Sequence, residues 1–430
     1  MKLKTGKWIF PSLTILNFLA PVIAGALPIP PEKLALPPRA EQKIRVRVAE
    51  AVTQVEIQGL DLQIFQDTRL RKTIALDSTW EIRCQEGRIR AISKTGGRTI
   101  DLKEPAIFQS RTGVLKLGGK RFRDEIHIYS SGSLCEAINL LDIEKYLAAL
   151  INSEFSSKWN EEAVAAQVIA ARTFAFYRLK QTHLRNTKSR YDIDGTVSDQ
   201  LYQGSDKEDF ISSRAVEKTK GIVLAVSNTM KIQPLKAFYH STCGGRTELP
   251  ENVWSGQEPG FKKGVVCPYC LGSPQMKWGF VATPAEIARV LARTARNLAL
   301  AKRLPKAWPV QSERIFSEGK LIDLRVSKWT PGGRASTVRT EWSYRGRIFD
   351  ITLSGFLFRE SLGLHRLKST AFQITASEDA SLPVWRIDGR GNGHGVGMCQ
   401  WGAKVMGERG FKAALILKHY YPDANLRKMW

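Results

Sequence analysis

Residues Asp142 to Lys180 read DIEKYLAALINSEFSSKWNEEAVAAQVIAARTFAFYRLK, and at the first of them the periodicity of the chain changes. Upstream, the runs IRVRVAE, VTQVEIQG, LDLQIF, TIALDSTWEIRC, RIRAIS, GVLKLGG and EIHIYSS alternate apolar with polar residues and are separated by Gly, Asp and Asn. That alternation is the pattern of strands with one buried face. From Asp142 on, Ile143, Tyr146, Leu147, Leu150 and Ile151 recur at three- and four-residue spacings, so a helix opens with Asp142 as its cap. A second helix opens after Asn160, with Glu161 and Glu162 in the first turn, where the helix dipole favours acids. Its richness in Ala lets a neighbouring backbone come close. A third is expected at Thr283-Pro284-Ala285-Glu286, a capping box with Pro at the first helical position. Strand-like runs such as GIVLAV, KAFYHST and RIFDITLS follow without a regular βαβ rhythm. The expected fold class is therefore α+β, a mixed core preceded by a β-rich N-terminal domain over residues 41–125.

The 430 residues are 43% apolar, 9% aromatic and 25% charged, the composition of a packed globular protein. Disordered, collagenous and disulfide-miniprotein classes are excluded. At the N-terminus Lys2, Lys4 and Lys7 precede a mostly apolar stretch from Trp8 to Ile23 and the small-residue run Ala24-Gly25-Ala26, which reads as a signal peptide over residues 1–26. Pro11, Asn17 and Pro21 interrupt the stretch and weaken it as a permanent span, with an uncleaved anchor as the alternative. A Pro-rich linker over 27–40 follows. The expected location is outside the cytoplasm: periplasm, cell wall or medium. The 65 Lys and Arg against 41 Asp and Glu give 65 − 41 = +24, and loss of three Lys with the signal leaves +21. Such a charge suits an anionic partner, a cell-wall polymer or anionic lipid before any nucleic acid, unless the basic surface is idle.

Four features carry chemistry. On a helical wheel Glu154 sits about 20° from Ile143 and Leu147 and about 40° from Leu150, on the apolar stripe. Burial there would raise its pKa and keep it protonated, as a general acid requires; the alternative is a helix ending at Ser153, with Glu154 paired to a cation. Arg172 lies on the Ala-rich helix and, once buried, needs a carboxylate or several carbonyls for its five donors, whether its role is structural or functional. His240 and Cys243 read HxxC, and Cys267 and Cys270 frame CPYC: four N/S ligands for a structural zinc ion, with Cys399 as an alternative to His240 and a disulfide within the set as the competing reading. Finally, RGNGHGVGMCQWGAKVMGERG from Arg390 to Gly410 brings backbone close to something around His394 and Gln400. Phosphate binding lacks its required strand context, so sugar stacking competes with a tight loop around a core histidine. Arg289, Arg293, Arg296 and Arg303 follow one face of the third helix, as a solvated stripe or a polyanion contact.

Together YLAALINSEFSSKWNEEAVAAQVIAARTFAFYRL, FYHSTCGGRTE, VWSG, CPYC, LSGFLFRESLGL and GNGHGVGMCQWGAKVMGERGFKAALILKHYYP resemble the stage II sporulation protein D family of peptidoglycan lytic transglycosylases, which includes amidase enhancers. The resemblance covers residues 126–430 and is weakest over 280–385. It implies cleavage of peptide-stripped glycan strands between N-acetylmuramic acid and N-acetylglucosamine, leaving 1,6-anhydro ends, with Glu154 as acid and base. It further implies that Arg172 orients Glu154 or binds sugar, that His394 and Gln400 line the cleft, and that an N-acetylmuramoyl-L-alanine amidase is a partner. A binding protein that enhances an amidase without cutting is the alternative; a zinc hydrolase with an open metal position is a third.

Overall fold

The computed structural model describes residues 42–430 apart from 67–68, 75–77, 95, 186–187, 229–230, 255 and 378–383, so the expected signal peptide and linker lie outside the described residues. Ten strands open the described chain: β1 (Lys43–Val52), β2 (Gln54–Gly59), β3 (Leu62–Gln66), β4 (Arg69–Ile74), β5 (Ser78–Gln85), β6 (Arg88–Ser93), β7 (Thr99–Lys103), β8 (Ala106–Leu117), β9 (Lys120–Ser131) and β10 (Leu134–Asp142). With the two-residue strand β11 (Ile193–Asp194) they form a sheet ordered β11-β1-β10-β9-β8-β2-β5-β6-β7, with β3 on β8 and β4 on β3. Alternation fills its inner face with Ile44, Val46, Ile57, Ile64, Ile82, Phe108, Ile126 and Ile128, all fully buried.

Strands β5 and β10 stand four places apart in this order, which on a flat sheet would separate them by about 19 Å. Yet Cys84 on β5 and Cys135 on β10 are joined by a disulfide with Cα atoms 5.3 Å apart, so the sheet rolls back on itself. Strand β9 crosses residue 125 and β10 pairs with β1, so the sheet continues past the domain boundary expected there.

Helix α1 (Ile143–Glu154) begins where β10 ends, and the Asp142 side chain accepts from the backbone N–H groups of Glu144 (2.8 Å) and Lys145 (3.4 Å). Helix α2 (Glu161–Leu184) is capped by Asn160 and is buried on most of its circumference. Helix α3 (Phe210–Lys218) leads to β12 (Ile222–Asn228), β13 (Lys231–Pro234) and β14 (Tyr239–His240). Next comes a segment with its own core around Ile287, Leu291, Phe316, Trp342 and Phe358. It comprises β15 (Lys277–Ala282), α4 (Pro284–Leu300), α5 (Ser312–Glu318), the meander β16 (Lys320–Trp329), β17 (Ala335–Tyr344) and β18 (Arg347–Ser354), α6 (Gly355–Leu362), β19 (Phe372–Ala376) and β20 (Trp385–Arg390). The expected Thr283–Glu286 capping box opens α4. The chain then passes through β21 (Met398–Cys399), α7 (Gln400–Glu408) and α8 (Ala413–Tyr420), and β22 (Asn425–Lys428) pairs with β12. Close approach to α2 is visible at Gly407, where an added Cβ would lie 3.1 Å from Ala163 Cβ. The class is α+β, as the periodicities imply.

Candidate functional site

Helix α1 runs through Glu154 rather than stopping at Ser153, and Phe155 closes it by donating its N–H to Ile151 O at 2.7 Å. Among the described residues no Lys or Arg pairs with the Glu154 carboxylate, and the backbone N–H of Leu201 is its hydrogen-bond donor. Burial raises the Glu154 pKa and the Leu201 N–H opposes part of that rise. A carboxylate in the last turn also meets the negative end of the helix dipole, a second influence against ionisation.

The carboxyl is placed by long-range contacts. Gln400, the first residue of α7, donates from Nε2 to the Glu154 carbonyl at 2.9 Å, satisfying a backbone acceptor that the helix end leaves free. Beneath it runs a buried chain in which Tyr146 Oη donates to Gln200 Oε1 at 2.9 Å, and Gln200 Nε2 donates to Tyr239 Oη at 2.9 Å and Ala171 O at 3.3 Å. Both phenols are held well above their ordinary pKa by burial first and by the nearby Glu154 charge second. Residues adjoining Glu154 and Gln400 make an aromatic wall. Phe155 meets Trp159 edge-on at 4.5 Å, Trp159 lies 5.4 Å from Trp401, and Lys404 caps both indoles. Trp159 and Trp401 are partly exposed, the arrangement of an apolar face with polar edges on which a sugar ring stacks.

Arg172 is not part of this constellation. It meets Glu144, ten residues before Glu154 and hence about 15 Å away along the helix. Its Nε faces both Glu144 oxygens at 3.1 Å and its Nη2 donates to Oε2 at 2.7 Å. The remaining N–H groups reach Val216 O, Thr219 Oγ1 and Ile222 O at 3.1–3.3 Å. With every donor used and the residue fully buried, nothing of Arg172 is left to orient Glu154 or bind sugar. That expectation is corrected: Arg172 locks α1, α2 and α3 together.

His394 sits against Trp254 (5.0 Å), His240 (5.4 Å) and Phe238 (6.0 Å), and its Nδ1 accepts from Val396 N at 3.1 Å. Its pKa is held well below the usual value, chiefly by burial and then by His240 and two arginines, so it is neutral. His240 donates from Nδ1 to Val396 O at 3.0 Å, and burial with the Arg334 charge lowers its pKa to about 3.

The thiol cluster also differs from expectation in one member. The sulfurs of Cys243, Cys267, Cys270 and Cys399 all lie within 4.8 Å of one another and are buried, whereas His240 turns its ring to the Val396 carbonyl and is not in the group. The fourth member is Cys399. Parallel pairing of β14 with β21 brings it there, and the backbone N–H groups of Cys243 (3.3 Å) and Gly402 (3.4 Å) donate to its sulfur. Zn–S bonds of about 2.3 Å imply sulfurs about 3.8 Å apart around a tetrahedral ion, which this group fits. The disulfide of the chain lies elsewhere, at Cys84–Cys135. Because Cys399 and Gln400 are consecutive, the cluster and the Glu154 brace share one turn of chain.

Gln200 and Trp159 were not among the sequence-derived candidates, whereas Trp401 is the aromatic on which the sugar-stacking reading of the glycine-rich motif rested. Gln200 lies in the loop DQLYQGS, which has no motif, and only its contacts 29 to 54 residues away identify it.

The family model described as SpoIID, Stage II sporulation protein, matches residues 131–225, the stretch holding β10, α1, α2 and Gln200. An uncharacterized protein of Brachyspira hyodysenteriae is 29% identical over 326 residues, covering 75% of this chain and 77% of its own length. The protein named Amidase enhancer in Bacillus subtilis is 28% identical over 310 residues, 65% of this chain and 40% of that protein. Stage II sporulation protein D of the same organism is 28% identical over 302 residues, 68% of this chain and 76% of that protein.

Proposed function

Starting from this resemblance to the stage II sporulation protein D and amidase-enhancer family, we propose that the chain is an exported lytic transglycosylase acting on peptide-stripped glycan strands. The observation that carries the reading is Glu154, a carboxyl without a cation, raised in pKa by burial and standing beside a partly exposed aromatic wall. Protonated Glu154 donates to the glycosidic oxygen as the bond from C1 to that oxygen breaks. As carboxylate it then takes the proton of the muramic C6 hydroxyl while O6 bonds to C1, closing the 1,6-anhydro ring. The attacking hydroxyl belongs to the substrate, so no second carboxylate is needed to act as nucleophile or to activate water. Trp159 and Trp401 stack the sugar, Gln400 fixes the helix end that carries the acid, and neutral His394 lines the glycine-rich side.

Cys243, Cys267, Cys270 and Cys399 would hold a zinc ion. With four protein ligands it would supply structure alone, cross-linking the 243–270 loops to the start of α7. The Cys84–Cys135 disulfide supports an oxidising compartment, in keeping with the signal-like N-terminus. The relative named Amidase enhancer favours a second reading, a glycan-binding protein whose partner amidase does the cutting.

The deciding experiment incubates wild type and Glu154→Gln with purified peptide-free strands and analyses products by mass spectrometry. Anhydro-ended fragments from wild type alone support the enzyme. Binding without fragments from either protein supports the enhancer.

A further inference from the structure

The segment between the CPYC motif and the glycine-rich loop contains an open cavity of about 340 Å³, built on elements that carry neither Glu154 nor the thiols. That volume is in the range of small-ligand sites. Two indoles line it. Trp278 on β15 donates its Nε1–H to Gly391 O at 2.7 Å and lies across Gly389 of β20, where any Cβ would stand 2.2–2.6 Å from the ring. The ring is therefore a fixed platform, possible only over glycine. Trp329, at the end of β16, is 47% exposed and forms another wall. A half-exposed tryptophan thus lines the same cavity as a fixed one.

The polar lining is selective. Lys277 and Arg390 are direct cross-strand partners in the β15–β20 pair and both line the cavity. Among the described residues neither makes an ion pair, although the protein pairs many of its other basic side chains. The Arg390 side chain passes close to Gly244, where an added Cβ would lie 3.0 Å from its Cγ. Gln373 adds an amide acceptor for a hydroxyl group, and its cross-strand partner Asp388 has both carboxylate oxygens engaged by Arg386 at 2.7 and 3.1 Å. Two aromatic faces, two unpaired cations and a hydroxyl acceptor in one cavity match a sugar ring bearing a carboxylate.

We propose that this cavity is a second saccharide site, which grips a carboxylated sugar of the glycan strand through Trp278 and Trp329 and reads its free carboxylate with Lys277 and Arg390. The inference rests on the glycan reading of the previous section and adds the feature selected: a lactyl carboxylate exposed once the stem peptide is gone. A strand held here and against the aromatic wall beside Glu154 gains affinity from two linked contacts.

The test uses full-length protein carrying Glu154→Gln, so that strands are not consumed, and two probes: soluble peptide-free glycan strands, and the same strands with their carboxylates amidated. Native strands are expected to bind about tenfold tighter than amidated ones, the scale of one charge-assisted contact. Adding Lys277→Gln removes most of that difference while leaving affinity for amidated strands unchanged. Adding Trp329→Ala, at a half-exposed position whose loss spares the core, weakens both probes about tenfold. Equal binding of both probes by all three proteins, with unchanged thermal midpoints, overturns the proposal. The two readings separate in a parallel digestion with Glu154 intact. Anhydro-ended products without any effect of Lys277 or Trp329 on binding remove the second site and leave the transglycosylase. Carboxylate-dependent binding without such products does the reverse.

Discussion

Replacing Arg172 with Met tests whether this residue belongs to the chemistry or to the scaffold. In the native protein its guanidinium is fully buried and answers the Glu144 carboxylate, whose side chain is 11% exposed. The substitution leaves Glu144 with the Gly221 N–H and the Trp430 indole N–H, each at 3.1 Å, and no countercharge. Removing one partner of a buried ion pair costs about 3–5 kcal/mol, or roughly two to three and a half powers of ten in the ratio of folded to unfolded protein. The double variant Arg172→Met/Glu144→Gln should recover part of that loss, because it removes the orphaned charge as well. Urea unfolding followed by tryptophan fluorescence reads the stability of all four proteins of the cycle. On the proposed function, the glycan-cutting rate per folded molecule is expected to stay within a few fold of wild type. If Arg172→Met unfolds at the same urea concentration as wild type yet loses its cutting activity, Arg172 acts at the reacting centre and the assignment made from its hydrogen bonds is wrong.

Three further outcomes are expected. The Glu154 pKa is raised in the folded protein, so its contribution to stability is fully present below the unfolded carboxyl value and is lost as pH rises through the raised one. Relative to Glu154→Gln, wild type should therefore lose unfolding free energy with rising pH in that window, and cutting should decline over the same range; parallel stability profiles would contradict this. Opening the Cys84–Cys135 bridge by double substitution to Ser frees a loop of 51 residues and should lower stability by about 4 kcal/mol, measured by chemical unfolding. Gly402→Ala puts a Cβ 1.9 Å from Tyr420 Oη and 2.8 Å from Cys267 Sγ, so it should cost about 1–3 kcal/mol and weaken the retention of added zinc by the proposed thiol site, read by chelator competition. Unaltered metal release would separate Gly402 from the thiol cluster.

Features set by near neighbours were legible in the sequence. Asp142, Asn160 and the Thr283–Glu286 pair cap helices through bonds reaching two or three residues, so local spacing sufficed. The wheel placed Glu154 on the stripe that α1 buries, because ten residues of regular helix carry a phase faithfully. Arg172 was legible as buried and in need of a carboxylate or carbonyls, but which ones depended on how α2 crosses α1; the resemblance pointed toward Glu154, whereas the partner is Glu144 at the other end of α1. The HxxC spacing suggested His240 as a ligand, yet parallel pairing of β14 with β21 turns the cluster toward Cys399, 399 − 270 = 129 residues beyond its nearest fellow thiol. Gln200 and the roll of the sheet arise wholly from such distant crossings, for which no local pattern exists.

Four cysteines gathered in one buried group and two joined in a bridge have a bearing on how the chain matures. In an oxidising compartment six free thiols can pair completely in fifteen ways; three of these contain the Cys84–Cys135 bond, and every one of them consumes the four clustered thiols. An ion that occupies the four clustered thiols early reduces that choice to a single bond, Cys84 to Cys135. Metal supply would then act as a proofreading step for oxidation, and reduced chain oxidised in metal-depleted buffer should accumulate scrambled bridges, detectable by peptide mapping after alkylation. The ion's largest service would be given before the glycan is ever met.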